Sequence, residues 1–275
     1  MKYEIIKEYD EKQFRRITGV KRAAFNKMVE ILKKNYAEKH RRRGRKPKLS
    51  IENQLLAALE YWREYRTYAH IAASYGIAES NIYRSIKWIE DTLIKDGTFS
   101  LPGKKALLKS DASYEIILID ATETPVERPP KKQRKYYSGK KKRHTLKTQL
   151  VVDRKTMEII CLSFCNGKKH DFRLFKESGV HAGNDIEFET DTGYIGIKEI
   201  HSNSLLPKKR SKNHPLTKED KINNHLISKK RIYAEHATRF VKRFRILSER
   251  YRNRRKRFAL RFSLMSGLCN FDLSV

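Results

Sequence analysis

The sequence predicts an α/β protein in which an all-α segment precedes a mixed sheet, and three observations carry that prediction. Apolar residues recur at helical spacing as far as Leu93. Beyond Asp96-Gly97 and Pro102-Gly103 the period drops from 3.6 to 2. Within that second part strands come first, with helices intervening and closing, which is the order of a mixed α/β sheet.

Taken in order, Thr18 to Tyr36 places Val20, Phe25, Met28, Val29, Ile31 and Leu32 on a helical stripe, with Thr18 as its expected cap. A basic run follows, Lys39, Arg41, Arg42, Arg43, Arg45, Lys46 and Lys48, broken by Gly44 and Pro47, so residues 1–44 read as a helix and a basic linker. Ser50-Ile51-Glu52-Asn53 opens a second helix through Leu55, Leu56, Leu59 and Trp62. A short helix over Thr67 to Ser74, a turn at Gly76, and a third helix from Glu79-Ser80-Asn81 through Leu93 complete a helix-turn-helix over 45–98. In that geometry the third helix meets base edges, so Ser80, Asn81, Tyr83, Arg84 and Lys87 are the candidate readers, Arg84 suited to guanine and Asn81 to adenine. A plain three-helix packing module gives the same pattern.

Residues 112–270 form the expected second domain. Tyr114 to Asp120 reads as a buried strand ending in a carboxylate; Thr145 to Asp153 and Met157 to Cys165 read as strands about a turn at Arg154-Lys155-Thr156. Asp171 to Ser178 reads as a helix, Ile186 to Asp191 as a strand, and Lys229 to Arg250 as a long basic helix. Cys161, Cys165 and Cys269 have neither CxxC spacing nor matched histidines, which argues for reduced thiols rather than zinc or disulfides.

Charge narrows the partner. Sixty-two Lys and Arg against thirty-two Asp and Glu give +30 at pH 7, the composition of a folded chain that grips a polyanion. No apolar run approaches a membrane span, and Met1 to Lys7 lacks a signal peptide's apolar segment, which predicts a cytoplasmic, polyanion-binding protein.

In so basic a chain, acids at strand ends are the candidates for phosphodiester chemistry. Such chemistry commonly uses two divalent ions held by carboxylates. Asp120 ends one strand and Asp191 another, with Gly193 close behind; Glu235 stands in the long helix amid Arg231, His236, Arg239 and Lys242. Glu123, Glu127, Asp171 and Glu189 compete, and alternation places Glu189 on the same strand face as Asp191. Strand-terminal Asp residues equally serve turns, and a helical Glu equally serves a surface ion pair.

Several of these runs together, Leu118-Ile119-Asp120-Ala121-Thr122-Glu123, Lys135 to Lys147, His170-Asp171-Phe172-Arg173, Thr190 to Gly196, and Leu205-Leu206-Pro207-Lys208-Lys209, resemble bacterial insertion-sequence transposases. The group is insertion-sequence family five, related to the Harbinger transposases, with a DDE endonuclease domain. The resemblance runs from near residue 45 to the C-terminus. It implies an RNase H-like catalytic fold and a metal-binding triad on Asp120, Asp191 and Glu235. The family's C-terminal signature places Arg231, Glu235 and Lys242 at its spacings, while its Tyr position is Ser228 and its frequent Asn is His236.

The activity so implied is cleavage at terminal inverted repeats and transfer to target DNA, using two Mg²⁺ ions with Mn²⁺ able to substitute, by a homodimer or higher oligomer on double-stranded DNA. Arg42, Arg43, Arg45 and the third helix are then expected at the repeats. Lys135, Tyr136, Lys140 and Arg143 lie in a stretch, Arg128 to Arg143, of nine basic residues and no acid that is expected to border the cleft, with Arg231 and Lys242 on DNA as well. Residues 242–261 add ten basic residues, with direct contact and structural packing equally open. The alternative to a transposase is a catalytically inactive or domesticated DNA-binding protein or nuclease derived from one.

Overall fold

Caps and glycines, rather than hydrophobic pattern alone, set where the helices begin and end. The computed structural model describes residues 2–39, 47–109, 114–210 and 215–275. In chain order the helical elements begin with α1 (Tyr3–Ile6), α2 (Glu11–Thr18), α3 (Arg22–Lys39), α4 (Ile51–Arg63), α5 (Tyr68–Tyr75) and α6 (Glu79–Asp96). There follow β1 (Ile116–Pro125), α7 (Gln133–Tyr136), β2 (Tyr137–Ser138), β3 (Arg143–Asp153), β4 (Ile159–Asn166), α8 (Asp171–Ser178), β5 (Glu187–Glu189) and β6 (Ser204–Leu205). The chain closes with α9 (Lys218–Lys242), α10 (Arg245–Ser248) and α11 (Phe258–Ser274).

Two compact units result. The first comprises residues 1–100, 241–249 and 253–275. Here the expected helix from Thr18 is corrected: Thr18 ends α2, its hydroxyl donating to the Phe14 carbonyl at 2.8 Å, and Gly19 at φ 80 stops the helix before α3 starts. Gly can adopt that left-handed backbone without the Cβ penalty. The helix-turn-helix forms as read. Ser50 caps α4, Thr67 caps α5, and Gly76 at φ 65 turns the chain toward α6. Phe14, Phe25, Met28, Leu32, Trp62, Ile82 and Ile89 are buried in this unit's core.

The C-terminal helices also belong to the helical unit, and charge joins them to it. Glu90 of α6 is fully buried and accepts from Arg261 Nε at 2.7 Å, Arg257 Nε at 2.9 Å and Trp62 Nε1 at 3.2 Å. Arg243 pairs with the buried Asp272 at 2.8 Å. Of the basic stretch 242–261, Arg243, Arg257 and Arg261 are therefore packing residues that neutralise buried carboxylates. The single helix expected over 229–250 is also corrected: α9 starts eleven residues earlier, at Lys218, and ends at Lys242, because Phe244 is buried where the chain breaks into α10.

The second unit comprises residues 101–240 and 250–252. Its mixed sheet has β1 at the centre, antiparallel to β3 and parallel to β5, with β6 beyond β5 and both β2 and β4 on the outer edge of β3. This is an RNase H-like arrangement. Apolar residues of alternate parity, Ile117, Ile119, Val151, Phe188, with Phe175 of α8 and Tyr194, fill one core. The strand expected over 186–191 is shorter, Glu187–Glu189, since Asp191 leaves the ladder to cap a 3₁₀ turn over Thr192–Tyr194. Among the described residues no helix is long and apolar enough to cross a membrane.

Candidate active site

The parallel pairing of β1 with β5 determines where the carboxylates meet. Leu118 pairs with Glu189, so Asp120 and Asp191 each stand two residues beyond a paired position on neighbouring strands that run the same way. Asp191 is held by its own turn, its carboxylate accepting from the Gly193 N–H at 2.7 Å. Gly193 matters for space, too: a Cβ there would come within 2.7 Å of Asp191 Oδ1 and 2.9 Å of Asp171 Oδ2. Asp171, first residue of α8, is thereby the third carboxylate here, beside Gly193 just past the end of β5.

Crowding of like charge has the expected electrostatic effect. Burial first, then the neighbouring Asp191 carboxylate, push the Asp120 carboxyl up to about 6; the Ala121 backbone and Arg231 act the other way. Burial, followed by the same three aspartates, holds the Tyr194 phenol well above its ordinary value, so it is a neutral donor toward Gln149.

Two cations answer the acids, one from α9 and one from β3. Arg231 of α9 stands 3.8 Å from Asp191 Oδ2. Lys147, almost wholly buried in β3, lies 2.7 Å from Asp171 Oδ1 and 3.8 Å from Glu123, and donates to the Lys169 carbonyl at 2.6 Å. Lys147 went unread in the sequence: in β3 it stands among Thr145, Thr148 and Gln149, so its neighbours in the chain do not mark it as buried, and only its partners in the fold do.

The competition among acids resolves by geometry. Glu189 points to Arg154, 2.9 Å away, and Lys230, 3.6 Å away, and is sealed from solvent, whereas Asp191 stays partly open beside Asp120. Glu123 accepts from the Thr145 hydroxyl. Glu235 is exposed on α9, one helical turn beyond Arg231 and on its side of the helix. The structure thus brings Asp120, Asp191, Asp171 and Arg231 together and leaves Glu235 on the rim; among the described residues no three His, Cys, Asp or Glu side chains are grouped to hold a metal.

The donor chemistry nevertheless fits a divalent cation of the oxygen-seeking kind. Asp120 is disfavoured as an anion by its burial and then by the neighbouring Asp191, a penalty that a bound cation would relieve, and the missing Gly193 side chain leaves the carboxylates room.

The expected DNA-binding residues fall into three groups. Asn81, Arg84 and Lys87 are exposed along α6, and Asn81 and Arg84 line a groove of about 480 Å³ with Pro47, Lys48, Gln54 and Ile77. Lys135, Lys140 and Arg143 are exposed around α7 and β2, with Tyr136 half-buried, and Lys242 is half-buried at the end of α9. Arg42, Arg43 and Arg45 lie outside the described residues.

Comparison with known proteins decides the family. Residues 119–270 match the DDE superfamily endonuclease, and residues 47–99 match the helix-turn-helix of the DDE superfamily endonuclease. The chain belongs to the DDE superfamily endonucleases. It is 46% identical over its whole length, and 99% of the relative's, to the probable transposase for insertion sequence element IS702 of Microchaete diplosiphon. To the putative transposase for insertion sequence element IS112 of Streptomyces albus G it is 24% identical, over 84% of each chain. No solved structure matches. A DDE endonuclease with its own helix-turn-helix domain is a DNA-acting enzyme, which accounts for the +30 charge.

Proposed function

We propose that this endonuclease is the transposase of an insertion sequence, which binds the element's terminal inverted repeats, cuts at its ends, and joins the freed 3′-hydroxyls to target DNA. Asp120, Asp191 and Glu235 are the acids of the reaction. The observation that carries this reading is the register of β1 with β5, which delivers Asp120, midway along β1, and Asp191, just past the end of β5, to the same level of adjacent parallel strands. Glu235 completes the set from α9, one turn from the Arg231 that already faces Asp191.

The three acids would hold Mg²⁺, two ions with Mn²⁺ able to substitute, which when bound supply charge stabilisation at the attacking and leaving oxygens of an in-line displacement. The chain's own residues orient the rest. Arg231 offers a guanidinium at the mouth of the acid pair, a geometry suited to a phosphate oxygen. Lys147 anchors Asp171 and keeps that third aspartate from collapsing onto the pair. Asn81, Arg84 and Lys87 of α6 read the repeat, while Arg42, Arg43, Arg45, Lys135, Tyr136, Lys140, Arg143 and Lys242 hold phosphates and exposed bases. Two copies pair two ends.

The test is to give the purified chain a duplex of the element's terminus, taken from the DNA flanking its coding sequence, together with supercoiled target plasmid and Mg²⁺ or Mn²⁺. Nicks bearing 3′-hydroxyls and their joining to plasmid are the expected products. Tight end binding with no metal-stimulated nicking would establish a non-catalytic DNA-binding protein instead.

A further inference from the structure

Glu235 lies on the flank of α9 that carries Arg231, which faces Asp191, and the opposite flank of the helix is anchored by an arginine. We propose that Arg154, in the β3–β4 turn, is a positioning residue for DNA cleavage: it clamps Glu189 and Tyr233 and so sets the rotation of α9 at which Arg231 and Glu235 face Asp120 and Asp191. The proposal rests on the assignment of Glu235 to the reaction.

The contacts are specific. Arg154 Nη1 lies 2.9 Å from Glu189 Oε1, and its guanidinium carbon lies 5.4 Å from the centre of the Tyr233 ring. Glu189, buried beside the strand end, also draws Lys230 of α9 to 3.6 Å. Arg154 is itself fixed, its backbone N–H donating to the Ile116 carbonyl at the start of β1 at 3.1 Å. One residue therefore joins the start of the central strand, through its backbone, to β5 and the helix, through its side chain.

Helix geometry turns that tie into a phase setting. Tyr233 and Glu235 are two residues apart, roughly 200° around the helix, so a clamp on the Tyr233 flank leaves the Glu235 flank facing the opposite way. Ile227, Ala234, Ala237 and Val241 are buried on the stripe between the flanks. Small alanines there fix distance but resist rotation poorly, because they offer little side chain to interlock. Rotation must then be set by the flanking contacts: Arg154 against Tyr233, and Glu189, which Arg154 holds, against Lys230.

The experiment compares the full chain with Arg154→Ala, Arg154→Lys and Tyr233→Leu, using the element's terminal duplex as substrate. Tyr233 is partly exposed, so Tyr233→Leu removes the ring without stranding a buried charge. Expected are thermal unfolding of Tyr233→Leu unchanged, DNA KM unchanged, and kcat for nicking down by on the order of 10-fold in Tyr233→Leu and 10²-fold in Arg154→Ala, as for a misplacement of about 1 Å. Arg154→Lys recovers part of the loss, since a lysine keeps the ion pair but lacks the planar stacking group. Mn²⁺ binding, followed without DNA by the loss of its free electron-spin-resonance signal, weakens in Arg154→Ala and Tyr233→Leu alike.

Wild-type kcat and Mn²⁺ affinity in Tyr233→Leu would overturn the proposal. So would a loss in Arg154→Ala that disappears when rates are divided by the folded fraction. A Glu235→Ala variant run alongside separates the two ideas: full activity there defeats the underlying assignment, whereas an inactive Glu235→Ala with active Arg154 and Tyr233 variants defeats only the clamp.

Discussion

Asp120 and Asp191 occupy equivalent places on two parallel neighbours, each two residues past the Leu118–Glu189 pair. An antiparallel neighbour could not produce this relationship, since successive residues would then diverge along the two strands; on the β3 side Asp120 faces Leu150 instead. Burial of Asp120, and after it the Asp191 carboxylate at the same level, make the anion expensive, which the lifted Asp120 carboxyl registers.

The first prediction concerns stability without metal. A carboxyl whose folded value is raised from 3.8 to about 6 binds more protons in the folded state, so it costs stability as pH rises through that window. The cost is full above about 6 and absent below the unfolded value of 3.8. Asp120→Asn should therefore stabilise the chelator-treated protein at pH 7.5 by on the order of 1–3 kcal/mol. The gain should shrink as pH falls and vanish below about 4. Thermal melts at stepped pH in chelator would show this, and a pH-independent difference would refute it.

Gly193 gives a prediction that separates site geometry from folding. A Cβ at this position meets only carboxylate oxygens of Asp191 and Asp171 at under 3.0 Å, flexible side-chain ends that can swing aside at small cost. Gly193→Ala should melt within a few degrees of the parent yet lose on the order of 10²-fold in metal-dependent cleavage. Retention of cleavage would show that the Asp191 rotamer is not critical.

A third prediction places stability of the DNA-binding unit in its C-terminal helix. Glu90 is fully buried and neutralises Arg261, which is itself almost wholly buried. Glu90→Ala strands that guanidinium and should cost about 3–5 kcal/mol, lowering the melting temperature and end binding together. Exchanging Arg257 alone, which is partly solvated, should cost less.

Recognition by α6 yields a fourth. Arg84→Ala should lose about 1–3 kcal/mol on the terminal repeat and relax discrimination at one base pair. Lys87→Ala should weaken binding to all sequences alike and reduce the salt slope by about 1. Competition gel shifts at several salt concentrations distinguish the two outcomes.

Helix existence and strand parity were legible because they follow from local spacing. The three helices of the helix-turn-helix and the helix from Asp171 to Ser178 stand where periodicity puts them, whereas the strand read as ending at Asp120 runs on to Pro125, because β3 pairs with it as far as Thr145. Boundaries set by single residues were less so. Gly19 makes Thr18 the end of an unread helix rather than the cap of the next one, and buried Phe244 ends α9 where charge pattern suggests continuation. The choice between Glu189 and Asp191 was out of reach of alternation, because it depends on Arg154 and Lys230, residues distant in sequence that claim Glu189. Lys147 was hidden for the same reason: its partners Asp171 and Glu123 are both some twenty-four residues away along the chain and meet it only through the fold. Likewise, no spacing could show that Arg257 and Arg261, in a stretch that reads as phosphate-binding, neutralise Glu90.

The most direct measurement is cleavage of an end-labelled terminal duplex in Mg²⁺ by Asp120→Ala, Asp191→Ala and Glu235→Ala, each verified to bind the duplex as the parent does. The account predicts that all three bind normally and none cleaves, while Glu189→Gln, which alters a structural ion pair, retains cleavage. Cleavage by any of the three alanine variants at the parent's rate would contradict it and remove that acid from the site.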